Sequence, residues 1–494
     1  MDNAHDFYRD PRVISRILEY CGVPEPAVKD FFHEPGVREL AGSGRIANLA
    51  RQMTSEYVAG VGNWVKEYKH KSKATSRRPE EAAQLLDHDL NLFRSVWDKR
   101  SMIFFMDVEY TSGRYPGEAY TNSGRVFGLL EPVYWSIYDV LKEHGIEPLT
   151  LASGQGYHFV FKVDSFDVKG NVTSVAKRMA ELGHVEATLA GKYLHIPPEE
   201  KRARVVPIDL GKAFDTTGKL LEFVTHEVIR RANRYGVQLP LGVGDLNPGN
   251  NMREGINLDL STYVEPLHTR VMRTAFSIHD KNKSDCGVGH LPIQIEIPRH
   301  TPCNGNTLSL GEIHNNRRHF ENSANYAGAI TASIPECSEG VARLMEHYAK
   351  SSLHTFHANF DATREEHPND WWRTYDRFDL GQIPPCVAYA LQNPNPALLQ
   401  PQQLQTLTRV LTGKKWWHPK HVAGLIRSKY ERGHNWSYNW RKYDANTHAC
   451  GWTRIYGGML AAGIDSRVDQ NCVSHQEREL CTGSNCGYNI ADYR

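Results

Sequence analysis

The chain has 494 residues, too many for one ordinary core, so two to four domains are expected. Hydrophobic residues make up 40% and charged residues 23%, and no apolar run approaches the roughly 20 residues of a membrane span, which excludes disordered and membrane-spanning classes. With 58 Lys and Arg against 57 Asp and Glu, net charge selects no partner, and only local patches can. The start, Met1-Asp-Asn-Ala-His-Asp, is acidic and lacks the apolar core of a secretory signal, so a cytoplasmic location is expected. The nine cysteines then read as thiols or metal ligands, and five of them follow Pro385.

Residues 1 to about 98 read as helical. Pro11 to Tyr20 places Val13, Ile14, Ile17 and Leu18 at helical spacing, and Pro24 and Pro26 break the run. Ile46 to Glu67 and Glu80 to Trp97 read as further helices. Between them lies a basic run, Lys66-Glu-Tyr-Lys-His-Lys-Ser-Lys73, closely followed by Ser76-Arg-Arg-Pro79; it is a solvated face or a phosphate-contacting patch. Next comes the apolar run Met102 to Met106, which reads as a buried strand and ends in Asp107-Val108-Glu109. Side chains alternate along a strand, so Asp107 and Glu109 share a face, about 6.5 Å apart. Paired carboxylates at an apolar strand end repel and lose hydration, and a hard divalent cation, Mg²⁺ or Mn²⁺, offsets both costs.

Pro132 to His144 reads as a helix and Ile146 to Leu151 as a short strand. Ser153-Gly-Gln-Gly156-Tyr-His158 is a glycine turn feeding an alternating strand. Its exposed N–H groups suit phosphate oxygens, with His158 beside them. Val172 to Gly183 reads as a helix, Ala203 to Asp209 as a strand and Leu221 to Tyr235 as a helix; Pro240 to Gly255 is a loop. Ile256 to Tyr263 reads as a third acidic strand carrying Asp259. The segment Arg270 to Lys281 then alternates and is cationic, a complement to metal-bound acids and nucleotide phosphates.

Three motifs therefore stand in one order: Asp107-x-Glu109, Ser153-Gly-x-Gly156-Tyr-His158, and Asp259 followed by Arg273-x-x-x-Ser277-Ile-His279-x-Lys281. Together they resemble the archaeo-eukaryotic primase superfamily, its primase-polymerase branch in particular, over roughly residues 99–300. The resemblance implies an α+β fold whose catalytic core is an RRM-like antiparallel sheet. It implies that Asp107, Glu109 and Asp259 bind two Mg²⁺ or Mn²⁺ ions for template-directed nucleotidyl transfer. His158, Arg273, His279 and Lys281 then match phosphate-binding positions, with Ser153, Gly156 and Ser277 as motif residues. Nucleoside triphosphates and a single-stranded DNA template are the implied partners. Asp209 is a rival third acid. No P-loop is present, so a separate helicase is expected to unwind DNA.

Cys286, His290, Cys303 and His314 form a loosely spaced candidate zinc set. Residues 331–380 read as a linker and packing segment, with helix around Ala329 to Tyr348. From residue 381 a mostly helical domain is expected, opened by Pro384-Pro385-Cys386. Cys386, Cys472, Cys481 and Cys486 together are similar to the iron–sulfur domain of the primase large subunit. That implies a [4Fe–4S] cluster, with zinc as the alternative. Cys450 and His475 are substitute ligands, because Cys481 and Cys486 stand closer than that family's last pair. Residues 381–494 hold thirteen Lys and Arg against seven Asp and Glu. Lys414-Lys-Trp-Trp417, Arg427-Ser-Lys429-Tyr430 and Trp436 to Tyr443 mix cations with aromatics, as single-strand binding requires. The expected order is thus a helical region (1–98), a catalytic domain (99–330), the linker (331–380) and the cysteine-ligated domain (381–494). The expected activity is primer initiation and extension. Two other readings remain: a gap-filling or end-joining polymerase of the same superfamily, and a non-catalytic single-strand-binding replication protein.

Overall fold

A computed structural model of the chain describes residues 3–32, 44–62, 75–185, 194–195, 204–205, 207–244, 251–264, 271–279, 291–393, 396–413, 417–432, 445–483 and 485–493. The fold is α+β, with antiparallel and mixed sheets. The chain divides into two compact units, one made of Met1–Glu109, Pro116–Thr217 and Thr269–Ala342, the other of Tyr110–Tyr115, Gly218–His268 and Arg343–Arg494. Among the described residues no helix is long and apolar enough to cross a membrane.

In the first unit one antiparallel sheet has the order Val271–Arg273, Asn91–Ser95, Val58–Val61, Thr75–Arg77. A second run of antiparallel strands has the order Asn306–Thr307, Ile297–Thr301, Leu149–Ala152, Gly156–Asp164, Ser101–Thr111. Ser101–Thr111 forms as its apolar run predicts. It pairs with Gly156–Asp164 from Ser101↔Asp164 through Glu109↔Gly156. Near its end Met106 and Val108 are buried while Asp107 and Glu109 are half-buried, so the two acids do share the opposite face. Cross-strand stacking of Phe104 on Phe161, centroids 4.6 Å apart, reinforces this register.

The helix expected from Pro132 begins earlier, at Ser123, and runs to Glu143 with Pro132 inside it. Proline removes one helical hydrogen bond. The buried stripe Val126, Phe127, Leu130, Val133 and Tyr134 offsets that loss. Phe127 packs edge-on against Tyr157 at 5.1 Å and Tyr134 lies 5.2 Å from Phe159.

Several expected elements differ. Glu80 to Trp97 is helical only over Ala82–Asp87, and Asn91–Ser95 is a strand. Asp89, in the left-handed region at φ 55°, ends the helix. Within that strand Arg94 is buried; it pairs with Asp98 at 2.6 Å and donates to the Tyr20 carbonyl at 2.8 Å. Ile46 to Glu67 is helical only to Ala50, and Val58–Val61 is a strand; the basic run at 66–73 lies outside the described residues. The strand expected over Ala203 to Asp209 is limited to Arg204–Val205. Asp209 instead sits in the first turn of the helix Ile208–Tyr235, where a carboxylate favours the helix dipole, so it is not a strand-end acid. The strand carrying Asp259 ends at that residue, and Ser261–Val264 is a short helix whose Ser261 N–H donates to Asp259 Oδ1 at 2.7 Å.

The second unit contains a parallel strand pair, Leu241–Val243 with Gly255–Asp259, and a set of helices. Pro385–Gln392, Pro401–Gly413 and Pro419–Tyr430 each begin at a proline, whose fixed φ suits the first helical position. Pro401–Gly413 buries Leu404, Leu407, Val410 and Leu411, and its buried Arg409 pairs with Asp465 at 2.6 Å. The stretch Thr355 to Asp379 is not featureless: it holds the end of the helix Ser352–Ala362 and short 3₁₀ turns.

Candidate functional site

In the first unit residues from all three motifs come together. The strand register sets His158 directly across from Asp107. His158 Nε2 lies 3.4 Å from Asp107 Oδ1, and its Nδ1 lies 2.6 Å from Glu296 Oε1. Glu296 is completely buried, and its other oxygen is 3.6 Å from Arg273 Nε. Arg273 also donates to the Ile278 carbonyl at 2.5 Å and covers the Phe93 ring at 4.5 Å. Burial of His158 opposes its charge, but the Glu296 and Asp107 carboxylates outweigh burial and push its pKa up to about 10. The ring is therefore an imidazolium at neutral pH, suited to an anion.

The glycine turn is built for close approach. The Ser153 N–H donates to the Gly156 carbonyl at 2.8 Å, and the Gly156 N–H donates to Ser153 Oγ at 3.1 Å. A Cβ on Gly156 would fall 1.8 Å from the Val108 carbonyl oxygen, and one on Gly154 would fall 2.2 Å from His279 Nδ1. The turn thus seats the His279 ring, whose Nδ1 bonds the Tyr120 hydroxyl. Arg317, fully buried, donates to the Ser153 carbonyl from behind. Ser277 Oγ donates to the Leu92 carbonyl at 3.0 Å and bonds Thr274 Oγ1 at 2.8 Å, so both motif serines hold backbone.

The structure therefore joins Asp107, His158 and Arg273 through Glu296, and joins His279 to the turn containing Ser153 and Gly156. Glu109 lies on the same strand face as Asp107. Asp259 ends a strand of the second unit, and Lys281 lies outside the described residues. Glu296, Tyr120 and Arg317 escaped the sequence reading. Only Glu296 carried a signal: Ile293, Ile295 and Ile297 alternate with Gln294 and Glu296, an acid in an apolar run like that of Asp107.

Asp107 Oδ1 is buried and makes no aligned hydrogen bond. Its neighbour there is His158 Nε2 at 3.4 Å, and the carboxylate pair it belongs to is the donor chemistry a hard cation takes. Among the described residues no group of three or more His, Cys, Asp and Glu side chains is placed to hold a metal ion.

In the second unit Cys386 lies within electrostatic range of the three distant cysteines. Cys386, in the first turn of Pro385–Gln392, is buried, and burial followed by the charges of Cys481, Cys486 and Cys472 pushes its thiol up to about 11. Cys481, Cys486 and Cys472 are close enough to act on Cys386 electrostatically, although among the described residues they form no group placed to hold a metal ion. Cys472 Sγ accepts the Ile490 N–H at 3.3 Å, and Cys486 is exposed. All four are free thiols, and such a soft donor set fits zinc or an iron–sulfur cluster. Cys450 instead donates to Asn446 Oδ1 at 3.2 Å and stands near Arg427. His475 is buried, its pKa pushed down to about 4 by burial, and its Nδ1 is 3.5 Å from Thr406 Oγ1. Of the loose zinc set, Cys286 and His290 lie outside the described residues, while Cys303 is exposed and His314 bonds Ser123 Oγ at 2.8 Å.

Of the cationic and aromatic C-terminal stretches, Lys414 to Trp416 and Trp436 to Tyr443 lie mostly or wholly outside the described residues. Arg427 pairs with Glu365 and Glu431, Lys429 with Asp376, and Tyr430 is buried. Trp372 is exposed with Arg377 over its ring at 5.7 Å. No protein-family model, curated protein or solved structure matches this chain.

Proposed function

We propose that this chain is a primase-polymerase that starts and extends primers on single-stranded DNA in the cytoplasm, with unwinding left to a separate helicase. Its core would be an RRM-like sheet of the archaeo-eukaryotic primase type. The observation that carries the reading is the convergence of the first two motifs with the third: half-buried Asp107 and buried His158, Glu296 and Arg273 form one charge network.

Asp107 and Glu109 are residues that would hold Mg²⁺ or Mn²⁺, which when bound activates a 3′-hydroxyl and stabilises the departing pyrophosphate; Asp259 is the third acid that the resemblance supplies. His158 and Arg273, preset as cations, and His279 with Lys281 bind the triphosphate and neutralise charge that grows on it during displacement. The rings of half-buried Phe93 and buried Phe105 lie against Arg273 and His158 and lower the local dielectric, where charges act strongly. Cys386, Cys472, Cys481 and Cys486 would hold a [4Fe–4S] cluster, or zinc, and order a C-terminal region that grips template and initiating nucleotide.

The test is synthesis on a single-stranded template with nucleoside triphosphates and Mg²⁺ or Mn²⁺, with and without a primer. Wild-type chain makes product in both. Asp107→Ala with Glu109→Ala reduces incorporation to background and keeps the wild-type melting temperature. Template-directed synthesis retained by that double variant refutes the site.

A further inference from the structure

Glu296 belongs to none of the three motifs, yet it touches two of them. Its side chain has no exposed surface, and it sets one oxygen 2.6 Å from His158 Nδ1 and the other 3.6 Å from Arg273 Nε. Its backbone is tied to the third motif as well. The Phe276 N–H donates to the Glu296 carbonyl at 2.6 Å, and the Glu296 N–H donates to the Ser277 carbonyl at 2.9 Å. The next turn repeats the pattern, with His279 N–H donating to the Gln294 carbonyl at 2.7 Å. A buried carboxylate is costly unless it is partnered, and here both oxygens lie against nitrogen-bearing side chains of the motifs.

From this geometry we infer that Glu296 is a positioning residue. It fixes the His158 ring with Nε2 turned toward the Asp107 side and holds Arg273 at the same time, so that the two side chains meet a nucleoside triphosphate as one rigid clamp. A partner on the far nitrogen fixes ring orientation in this way at many histidine sites. The inference rests on the proposed function for the identity of the anion, and on the contacts alone for the positioning.

The experiment uses the full chain carrying Glu296→Gln or Glu296→Asp. Two probes, a fluorescent deoxynucleoside triphosphate and inorganic tripolyphosphate, are titrated by fluorescence and by competition. In parallel, the ring N–H proton of His158 is recorded by NMR on protein with ¹⁵N-labelled histidine and assigned by its loss in His158→Ala. Wild type shows a strongly downfield ring proton, which Glu296→Gln removes. Triphosphate affinity falls 10- to 100-fold in Glu296→Gln, in the usual range for a lost second partner, and is partly restored in Glu296→Asp. Deleting a negative charge beside an anion site would by Coulomb's law alone tighten binding, so a fall reports the loss of what Glu296 does for His158 and Arg273, and the ring resonance reports whether that is orientation. Unchanged or tighter binding, or a His158 resonance that persists without Glu296, overturns the inference. Should Glu296→Gln not fold, Glu296→Asp decides, because its carboxylate is one methylene shorter: a resonance unmoved in that variant overturns the positioning. A wild type that binds neither probe refutes the proposed function whatever the resonance does, so the two failures are told apart.

Discussion

Replacing Gly154 with alanine tests the site most sharply, because the three atoms nearest the new Cβ all belong to the His279 side chain. Its Cβ would sit 2.2, 2.3 and 2.4 Å from His279 Nδ1, Cγ and Cε1. Ordinary contact begins at 3.4 Å, so the ring must retreat by about 1.2 Å. Such a retreat breaks the bond from His279 Nδ1 to the Tyr120 hydroxyl. A lost hydrogen bond of this kind costs about 1 to 2 kcal/mol, so triphosphate binding is expected to weaken roughly 5- to 30-fold. The fold survives, since a side chain and not backbone gives way. Gly156→Ala is the contrast. Its Cβ would lie 1.8 Å from the Val108 carbonyl oxygen, so two paired strands must part and overpacking costs about 3 kcal/mol or more. Nucleotide titration with a thermal melt separates the two. Gly154→Ala binding as wild type does, or Gly156→Ala melting as wild type does, refutes this account of the turn.

Two more outcomes are expected. Cys386→Ser strips iron or zinc from anaerobically purified protein, read by metal analysis and by the visible spectrum; it abolishes primer initiation and leaves primer extension above half of wild type. Equal metal content in that variant removes Cys386 from the ligand set. Acidification is expected to destabilise the second unit. Burial pushes His226 and His448 down to about 4, although Glu222 at 3.8 Å opposes the shift at His226. Both are neutral when folded, whereas the unfolded chain takes up their protons below about 6.5. Stability is therefore complete above pH 6.5 and falls toward pH 4, by on the order of 2 kcal/mol for each histidine at pH 5. A melting temperature flat from pH 7.5 to 5, or a loss unchanged in His226→Asn with His448→Asn, contradicts this linkage.

What the sequence determined by itself was local. Pro11–Tyr20 is a helix with the bounds its apolar spacing predicts, because i, i+3 and i+4 positions face one side whatever they pack against. The strand under Asp107 and Glu109 and the side its acids take follow from two-residue alternation. Helices opening at Pro385, Pro401 and Pro419 follow from the fixed φ of proline. Where a residue's partner decided the outcome, local pattern failed. Asn91–Ser95 became a strand because Arg94 found Asp98 and the Tyr20 carbonyl in the interior, a burial no charged residue advertises. Asp209 went to a helix start, and the helix Ser123–Glu143 absorbed a proline, because packing outweighed one lost hydrogen bond. The tertiary structure alone brought Cys386 to thiols near the other end of its unit, and alone put Glu296 between His158 and Arg273. Contacts across such separations depend on how strands and helices pack, and a window of neighbouring residues holds no record of that.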